Sequence, residues 1–391
     1  MTTDAYIIGS GHTKFGRLSD TLEDLIVMAG REALAEAALD PSEIDAVFLG
    51  HFNAGLVADG FPSSLILQID PALRFKPAAR CENACASGSA AIHAGLNLMA
   101  AGKARNVLVI GVEKMTHRST PEVTEALASA GYHYDPAEKG LSFPQLFALA
   151  AEQYMARFGD QMDVLAKIAA KNHANAMKNP LAQMHKEMPY EFCRDISEKN
   201  PLIAPPLRLS DCSLVSDGAA AVVLSTDNGA AGSATKRVRF GAAEHVSDFL
   251  PLSRRKISDF EGPERAIRTA YDTAGITVDD LDFAEVHDCF TPAELMIYEA
   301  MGLAQKGEGA RAIETGRVLA DGLTPVNVSG GLKAKGHPVG ATGVSMHALS
   351  YRQLTGQAGD MQRAGADCGL VFNMGGAAVA NYASVLLADR A

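Results

Sequence analysis

The chain has 391 residues, a formal net charge of −11, and 47% hydrophobic against 21% charged residues. That length exceeds one ordinary core and fits two or three packed units. The acidic balance argues against nucleic acid, whose binders carry a basic surplus, and six cysteines in so long a chain are no disulfide framework.

The opening "MTTDAYIIGSG" lacks the basic region and apolar core of a secretory signal, no apolar run reaches membrane-spanning length, and the tail "LADRA" is not a peroxisomal address. Several of the cysteines sit in apolar or glycine-rich contexts that suit a reducing compartment. The expected location is cytoplasmic, with no membrane span.

In chain order, "AYIIGSG" reads as a strand and "TLEDLIVMAGREALAEAAL" as a helix capped by Asp20 or Thr21. "IDAVFLG" is a strand, "SGSAAIHAGLNLMAAG" a helix ending at Gly102, and "NVLVIGV" a strand. Such alternation predicts an α/β chain with a mostly parallel sheet. From Glu113 to Ser216 the pattern breaks into charged helical stretches, clearest in "FPQLFALAAEQYMARFG" and "VLAKIAAKNHANAMKNP", with no good strand. "DGAAAVVLSTD" resumes the strand pattern and "NGAAGSATK" reads as a linker.

Beyond the linker the first pattern returns. Asp45 matches Asp282, an offset of 282 − 45 = 237, and at that offset Ala33, Ala37 and Ile44 fall on Ala270, Ala274 and Leu281. A second echo pairs "SAAIHAGLNLMAAG" with "GVSMHALSYRQLTG". Two similar α/β halves are therefore expected. The first comprises residues 1–112 and 217–230, a mainly helical insertion residues 113–216, and the second half residues 231–391.

Five stretches are candidates for chemistry. "IIGSGHTKFG" follows a strand, but Gly16 falls outside a dinucleotide fingerprint, so its glycines read as a tight turn. "ENACASG" puts Cys85 at a helix N-terminus, where the dipole favours a thiolate nucleophile, although a buried structural cysteine fits the same stretch. "EVHDCF" ends the second copy of the repeated strand, where α/β sheets bind ligands, and offers His287, Asp288 and Cys289. His337 lies in the glycine-rich "SGGLKAKGHPVGATG", and "NMGG" supplies turn glycines whose N–H groups can bind an oxyanion. The spacings among Cys81, Cys85, His287 and Cys289 are not those of zinc ligands, and no metal is expected.

"ENACASG", "HDCF", "GHPVGATG" and "NMGG" stand here in the order and spacing of thiolases. The chain resembles the sterol-carrier-protein-type branch over nearly its whole length. The resemblance implies a duplicated five-layer αβαβα fold and an acyl-coenzyme A acyltransferase. Such an enzyme cleaves a 3-ketoacyl-coenzyme A with free coenzyme A or runs the reverse Claisen condensation. Cys85 matches the acyl-accepting nucleophile and His337 the histidine that takes its proton. His287 stands where classical thiolases carry an asparagine. Cys289 matches the acid–base cysteine, whose place in other branches is here Asn373-Met374. Oxyanions would meet the backbone N–H groups of Cys85 and Gly376, and the side chains of His287 and His337. Coenzyme A and acyl-coenzyme A would be substrates rather than resident cofactors, with the insertion holding the nucleotide. The resemblance also implies a homodimer or a tetramer, leaves an accessory protein partner open, and predicts no lipid-transfer domain after "ANYASVLL". A condensing enzyme of the same fold with a polyketide-like acceptor is the alternative.

Overall fold

The computed structural model describes residues 5–226 and 236–389. The proposed linker falls, but for Lys236, outside these residues. The first half contributes β1 (Ala5–His12), α1 (Leu22–Ala37), β2 (Ala46–Gly50), β3 (Ala78–Cys81), α2 (Ser87–Ala100) and β4 (Asn106–Glu113). An excursion follows with α3 (Thr120–Ala128), α4 (Phe143–Phe158), α5 (Met162–Ala176), α6 (Tyr190–Arg194) and a small hairpin of β5 (Leu202–Ala204) and β6 (Leu207–Arg208). The chain then forms β7 (Gly218–Thr226), β8 (Arg237–Ser247), α7 (Glu261–Ala274), β9 (Phe283–Val286), α8 (Thr291–Ala300), α9 (Ala310–Glu314), α10 (Thr342–Leu354), β10 (Cys368–Gly375) and β11 (Ala380–Asp389).

Among the described residues, nine strands form one sheet in the order β3-β2-β4-β7-β1-β8-β11-β10-β9. It is mixed, not mostly parallel as the sequence pattern predicts. β2 runs parallel to β3 and β4, and β9 to β10, whereas β7 returns antiparallel between β4 and β1, and β10 and β11 form a hairpin. The difference arises because β7 and β11 enter the sheet from a long excursion and a tight turn rather than through a crossover helix. The two halves of the sheet meet where Tyr6 and Ile7 of β1 pair with Arg239 and Val238 of β8.

α1 covers one face of β1, β4 and β7, while α2 and α10 lie on the other face, packed on each other. α10 also reaches β10 and β11, and α7 covers β8 and β11 from outside. The stack is α1, first half-sheet, α2 with α10, second half-sheet, α7: the five-layer duplicated arrangement. The repeat is visible in detail. The turns Pro41–Glu43 and Val278–Asp280 lie 278 − 41 = 237 residues apart, and each leads into a buried strand, β2 and β9.

α1 begins where expected, at Thr21, whose side chain accepts from the Asp24 N–H while the Asp24 carboxylate accepts from the Thr21 N–H. The glycines of "IIGSG" do not make the turn expected of them. Gly9 and Gly11 lie inside β1, where a Cβ on Gly9 would sit 2.5 Å from the Ala33 carbonyl oxygen of α1. They are small so that α1 can lie close on the strand.

Candidate active site

Beyond β3 the chain turns sharply through Asn83 and Ala84 and enters α2 at Ser87. Ala84 adopts a left-handed φ of 51°, which costs energy for a residue with a Cβ. The turn is pinned by Ala86 N–H to Asn83 O (3.0 Å), Asn83 N–H to Ser87 Oγ (2.9 Å) and Asn83 Nδ2 to the Tyr382 hydroxyl (2.8 Å). Cys85, half-buried, sits at its apex with the N-terminal N–H groups of α2 behind it.

His287 leaves the end of β9 and His337 lies in the loop before α10, both buried. One ring nitrogen of each and the Cys85 sulfur all lie within 4.8 Å of one another. The rings meet edge to face, with centroids 5.2 Å apart. His287 Nδ1 lies 2.8 Å from Asn373 Nδ2, and Ser89 Oγ donates to Asn373 Oδ1 at 2.8 Å. His337 Nδ1 lies 2.7 Å from Thr342 Oγ1, which donates to the Pro338 carbonyl at 3.1 Å. The His337 N–H donates to Ser216 Oγ (2.9 Å).

Two buried carboxylates hold the loop that carries His337. Asp288 accepts from the N–H groups of Leu332 (2.6 Å) and Lys333 (3.2 Å) and from Asn172 Nδ2 (2.8 Å). Glu113, at the end of β4, accepts from the N–H groups of Phe52, Asn53 and Gly340, each at 3.0 Å. It thereby ties the end of β2 to the loop. Gly340 is forced by this approach: a Cβ there would lie 2.4 Å from the Val112 carbonyl oxygen.

Burial pushes the Cys85 thiol up to about 12, reinforced by Glu113, while the N–H groups of Cys85 and Gly376 pull the other way. The acidified thiolate expected from the helix N-terminus is therefore not the resting form. Desolvation outweighs the helix end, because the walls of the site come from segments far away in sequence. Burial and the neighbouring Lys335 lower His337 to about 3; burial and His337 hold His287 well below the usual range. Both imidazoles rest neutral. Cys289, buried just beyond His287, is held well above the usual thiol range by burial, then by Cys85 and Asp288. It too rests as a thiol.

The five residues singled out in the sequence thus share one region. Cys85, His287 and His337 converge, the Gly376 N–H acts on the Cys85 thiol, and the Cys289 thiol feels Cys85. A cleft of about 470 Å³ opens beside them, with Phe52, Asn83, Ala84, Gly131, Leu250 and Gly376 in its wall. Sequence reasoning leaves Ser89, Glu113, Thr342 and Asn373 without a role. A charged residue closing the apolar run "VLVIGV" was the available signal for Glu113. For Asn373 the signal was the place that classical thiolases, which the chain resembles, give to a cysteine. Cys85, His287 and His337 are also the one donor grouping among the described residues with the reach of a metal site. Two neutral imidazoles around a thiol serve acyl transfer equally well.

Comparison with known proteins agrees with this geometry. Residues 5–228 match the family model "Thiolase, N-terminal domain" and residues 244–388 match "Thiolase C-terminal domain-like". The acetyl-CoA acetyltransferase of Methanothermobacter thermautotrophicus is 39% identical over 375 residues, which is 95% of this chain and 96% of that protein. Sterol carrier protein 2 of Homo sapiens is 33% identical over 387 residues, 95% of this chain and 69% of that protein. In fold, an Ltp2-ChsH2(DUF35) aldolase structure superposes with a TM-score of 0.84 at 22% identity, covering 100% of this chain and 99% of that one. Human mitochondrial 3-ketoacyl-CoA thiolase in complex with CoA superposes with a TM-score of 0.75 at 18% identity, covering 100% and 99%. The chain belongs to the thiolase family. It is an enzyme, an acyltransferase of the thiolase type that takes coenzyme A thioesters as substrates.

Proposed function

We propose that Cys85 is the acyl-carrying nucleophile of this transferase, that His337 is its proton acceptor, His287 the oxyanion donor and Cys289 the acid–base thiol. The convergence of Cys85, His287 and His337 within 4.8 Å carries the reading, because it unites groups from both halves of the chain around one small volume. In the cleavage direction His337 takes the Cys85 proton as sulfur attacks the ketone carbon of a 3-ketoacyl thioester. The Sγ–C bond forms and the tetrahedral oxyanion rests on the N–H groups of Cys85 and Gly376. The C2–C3 bond then breaks, its electron pair becomes the enolate of an acetyl thioester held by His287, and the Cys289 thiol protonates C2. The proton on His337 then passes to the Cys289 thiolate, and free coenzyme A attacks the acyl-cysteine, giving its proton to His337 and on to the departing Cys85 sulfur.

The resting thiol of Cys289 is the form that cleavage needs; condensation requires that proton to leave first. Relatives named acetyl-CoA acetyltransferase favour an acetyl donor over a polyketide-like acceptor. The excursion between β4 and β7, residues 113–216, is the proposed seat of the coenzyme A nucleotide. A homodimer is supported by β3, a sheet-edge strand with Arg80 exposed, which a second copy could cover; sedimentation velocity would test it. Six free cysteines among the described residues support a cytoplasmic location.

A series of 3-ketoacyl-coenzyme A thioesters mixed with free coenzyme A tests the assignment. Thiolysis by the wild type and its loss in Cys85→Ala are expected. Turnover retained by Cys85→Ala would remove Cys85 from the reaction.

A further inference from the structure

We propose that Asn373, oriented by Ser89, and Thr342 are tautomer-setting positioning residues. They give the two active-site histidines opposite tautomers, so that His287 presents an N–H and His337 a lone pair to the same reacting volume. The inference rests on the roles proposed above for the two histidines, but its geometry stands apart from them.

The argument turns on groups that can only accept. The Asn373 amide touches three partners: Ser89 Oγ at 2.8 Å, His287 Nδ1 at 2.8 Å and the Cys85 carbonyl oxygen at 3.4 Å. A carbonyl cannot donate, so the end of the amide that faces Cys85 must be its NH₂. That same NH₂ faces His287. The amide oxygen then faces Ser89, whose hydroxyl donates to it. His287 Nδ1 is therefore the acceptor, and a neutral His287 carries its proton on Nε2. Ser89, Asn373 and His287 are all buried, so no bulk water competes for these bonds.

At His337 the acceptor-only group is the Pro338 carbonyl. Thr342 Oγ1 lies 3.1 Å from it and 2.7 Å from His337 Nδ1. That carbonyl also accepts from the N–H groups of Ala341 (2.9 Å) and Thr342 (3.0 Å); in the proposal the hydroxyl proton goes to it as a third donor, so that Oγ1 accepts from His337 Nδ1–H. A neutral His337 thus keeps its lone pair on Nε2. Neither Nε2 has a protein hydrogen-bond partner among the described residues, and the two rings meet edge to face beside the Cys85 sulfur.

Opposite tautomers divide the labour. A lone pair beside a protonated thiol can take its proton; an N–H beside it cannot. An N–H is what an enolate oxygen needs, and a lone pair there would repel it. If both rings carried the same tautomer, one half of the reaction would be unsupported. Asn373 also stands where other thiolases keep their second cysteine.

The test is a long-range ¹H–¹⁵N correlation spectrum of the whole protein with ¹⁵N-labelled histidine, without substrate. Signals are assigned with the His287→Gln and His337→Gln variants. Protonated Nε2 in His287 together with protonated Nδ1 in His337 is expected. The same tautomer in both rings, or an imidazolium in either, overturns the proposal. Asn373→Asp replaces the amide donor with an acceptor and should move the His287 proton to Nδ1. It should slow condensation by about 10²–10³, the cost of one lost oxyanion donor, and acetyl transfer to Cys85 by no more than about tenfold. Thr342→Val should free the His337 tautomer and slow the transfer step, and Thr342→Ser, which restores a hydroxyl, should restore both. If the Asn373 or Thr342 variants fail to fold, the assigned wild-type spectrum decides. Opposite tautomers in a protein that takes no acetyl group would leave this assignment standing while the acyl-transfer roles fail; the reverse result would separate them the other way.

Discussion

Removing the Cys289 thiol should split the reaction into its halves. Cys289 lies just past His287 at the end of β9, and burial with nearby Cys85 and Asp288 keeps it protonated. In the role proposed for it, Cys289 serves proton transfer at carbon, not acyl transfer at sulfur. A positioned acid or base is worth about 10²–10⁴ in rate, or roughly 3–5 kcal/mol of barrier. Cys289→Ala should therefore lose that factor in condensation of two acetyl thioesters and in thiolysis. The Cys85 turn, its bond to Tyr382 and the N–H groups of Cys85 and Gly376 are untouched by the change. Acetyl loading of Cys85 should then proceed within a few-fold of the wild type. The two steps are read separately, by rapid-quench mass spectrometry for loading and by coupled spectrophotometry for carbon–carbon bond formation and cleavage. Equal losses in both steps would refute the separate role of Cys289.

Three further outcomes follow from the geometry. Because burial holds the Cys85 thiol near 12, its thiolate fraction rises about tenfold per pH unit below that value, so iodoacetamide labelling at Cys85 should climb from pH 7 to 9 with no plateau. A plateau near neutrality would show a preformed thiolate. Glu113→Gln replaces one acceptor oxygen of a carboxylate that takes three backbone N–H groups with an amide donor, and removes a negative charge acting on Cys85. It should cost about 1–3 kcal/mol in denaturant unfolding and move the labelling curve to lower pH, and an unshifted curve would contradict the Glu113 influence. Gly340→Ala places a Cβ 2.4 Å from the Val112 oxygen and 2.8 Å from Glu113 Oε2, so the loop must give way, with a loss of about 1–3 kcal/mol and of turnover; unchanged melting and activity would refute that packing.

The duplicated architecture was legible because both copies repeat an apolar helix face, an acidic turn and a buried strand, and Pro41–Glu43 and Val278–Asp280 fold alike at the expected offset. His287 and His337 were legible as titratable residues at a strand end and in a glycine-rich loop, whereas Cys85, Cys289 and Gly376 took their roles from the resemblance of their motifs to those of thiolases. The direction of β7 was not, because it depends on how a hundred-residue excursion returns. Nor was the protonation of Cys85, since desolvation comes from walls contributed by β4, β10 and the His337 loop. Pairings such as Ser89 with Asn373 lie 284 residues apart and leave no local trace in composition or spacing.

The central claim is that Cys85 carries acyl groups to and from coenzyme A. Intact-protein mass spectrometry after mixing with acetyl-coenzyme A, then chasing with free coenzyme A, tests it most directly. One acetyl group on Cys85, removed by the chase, is the predicted result. An acetyl group on another residue, or none on a Cys85 shown to be free and reactive across a range of acyl donors, would contradict it.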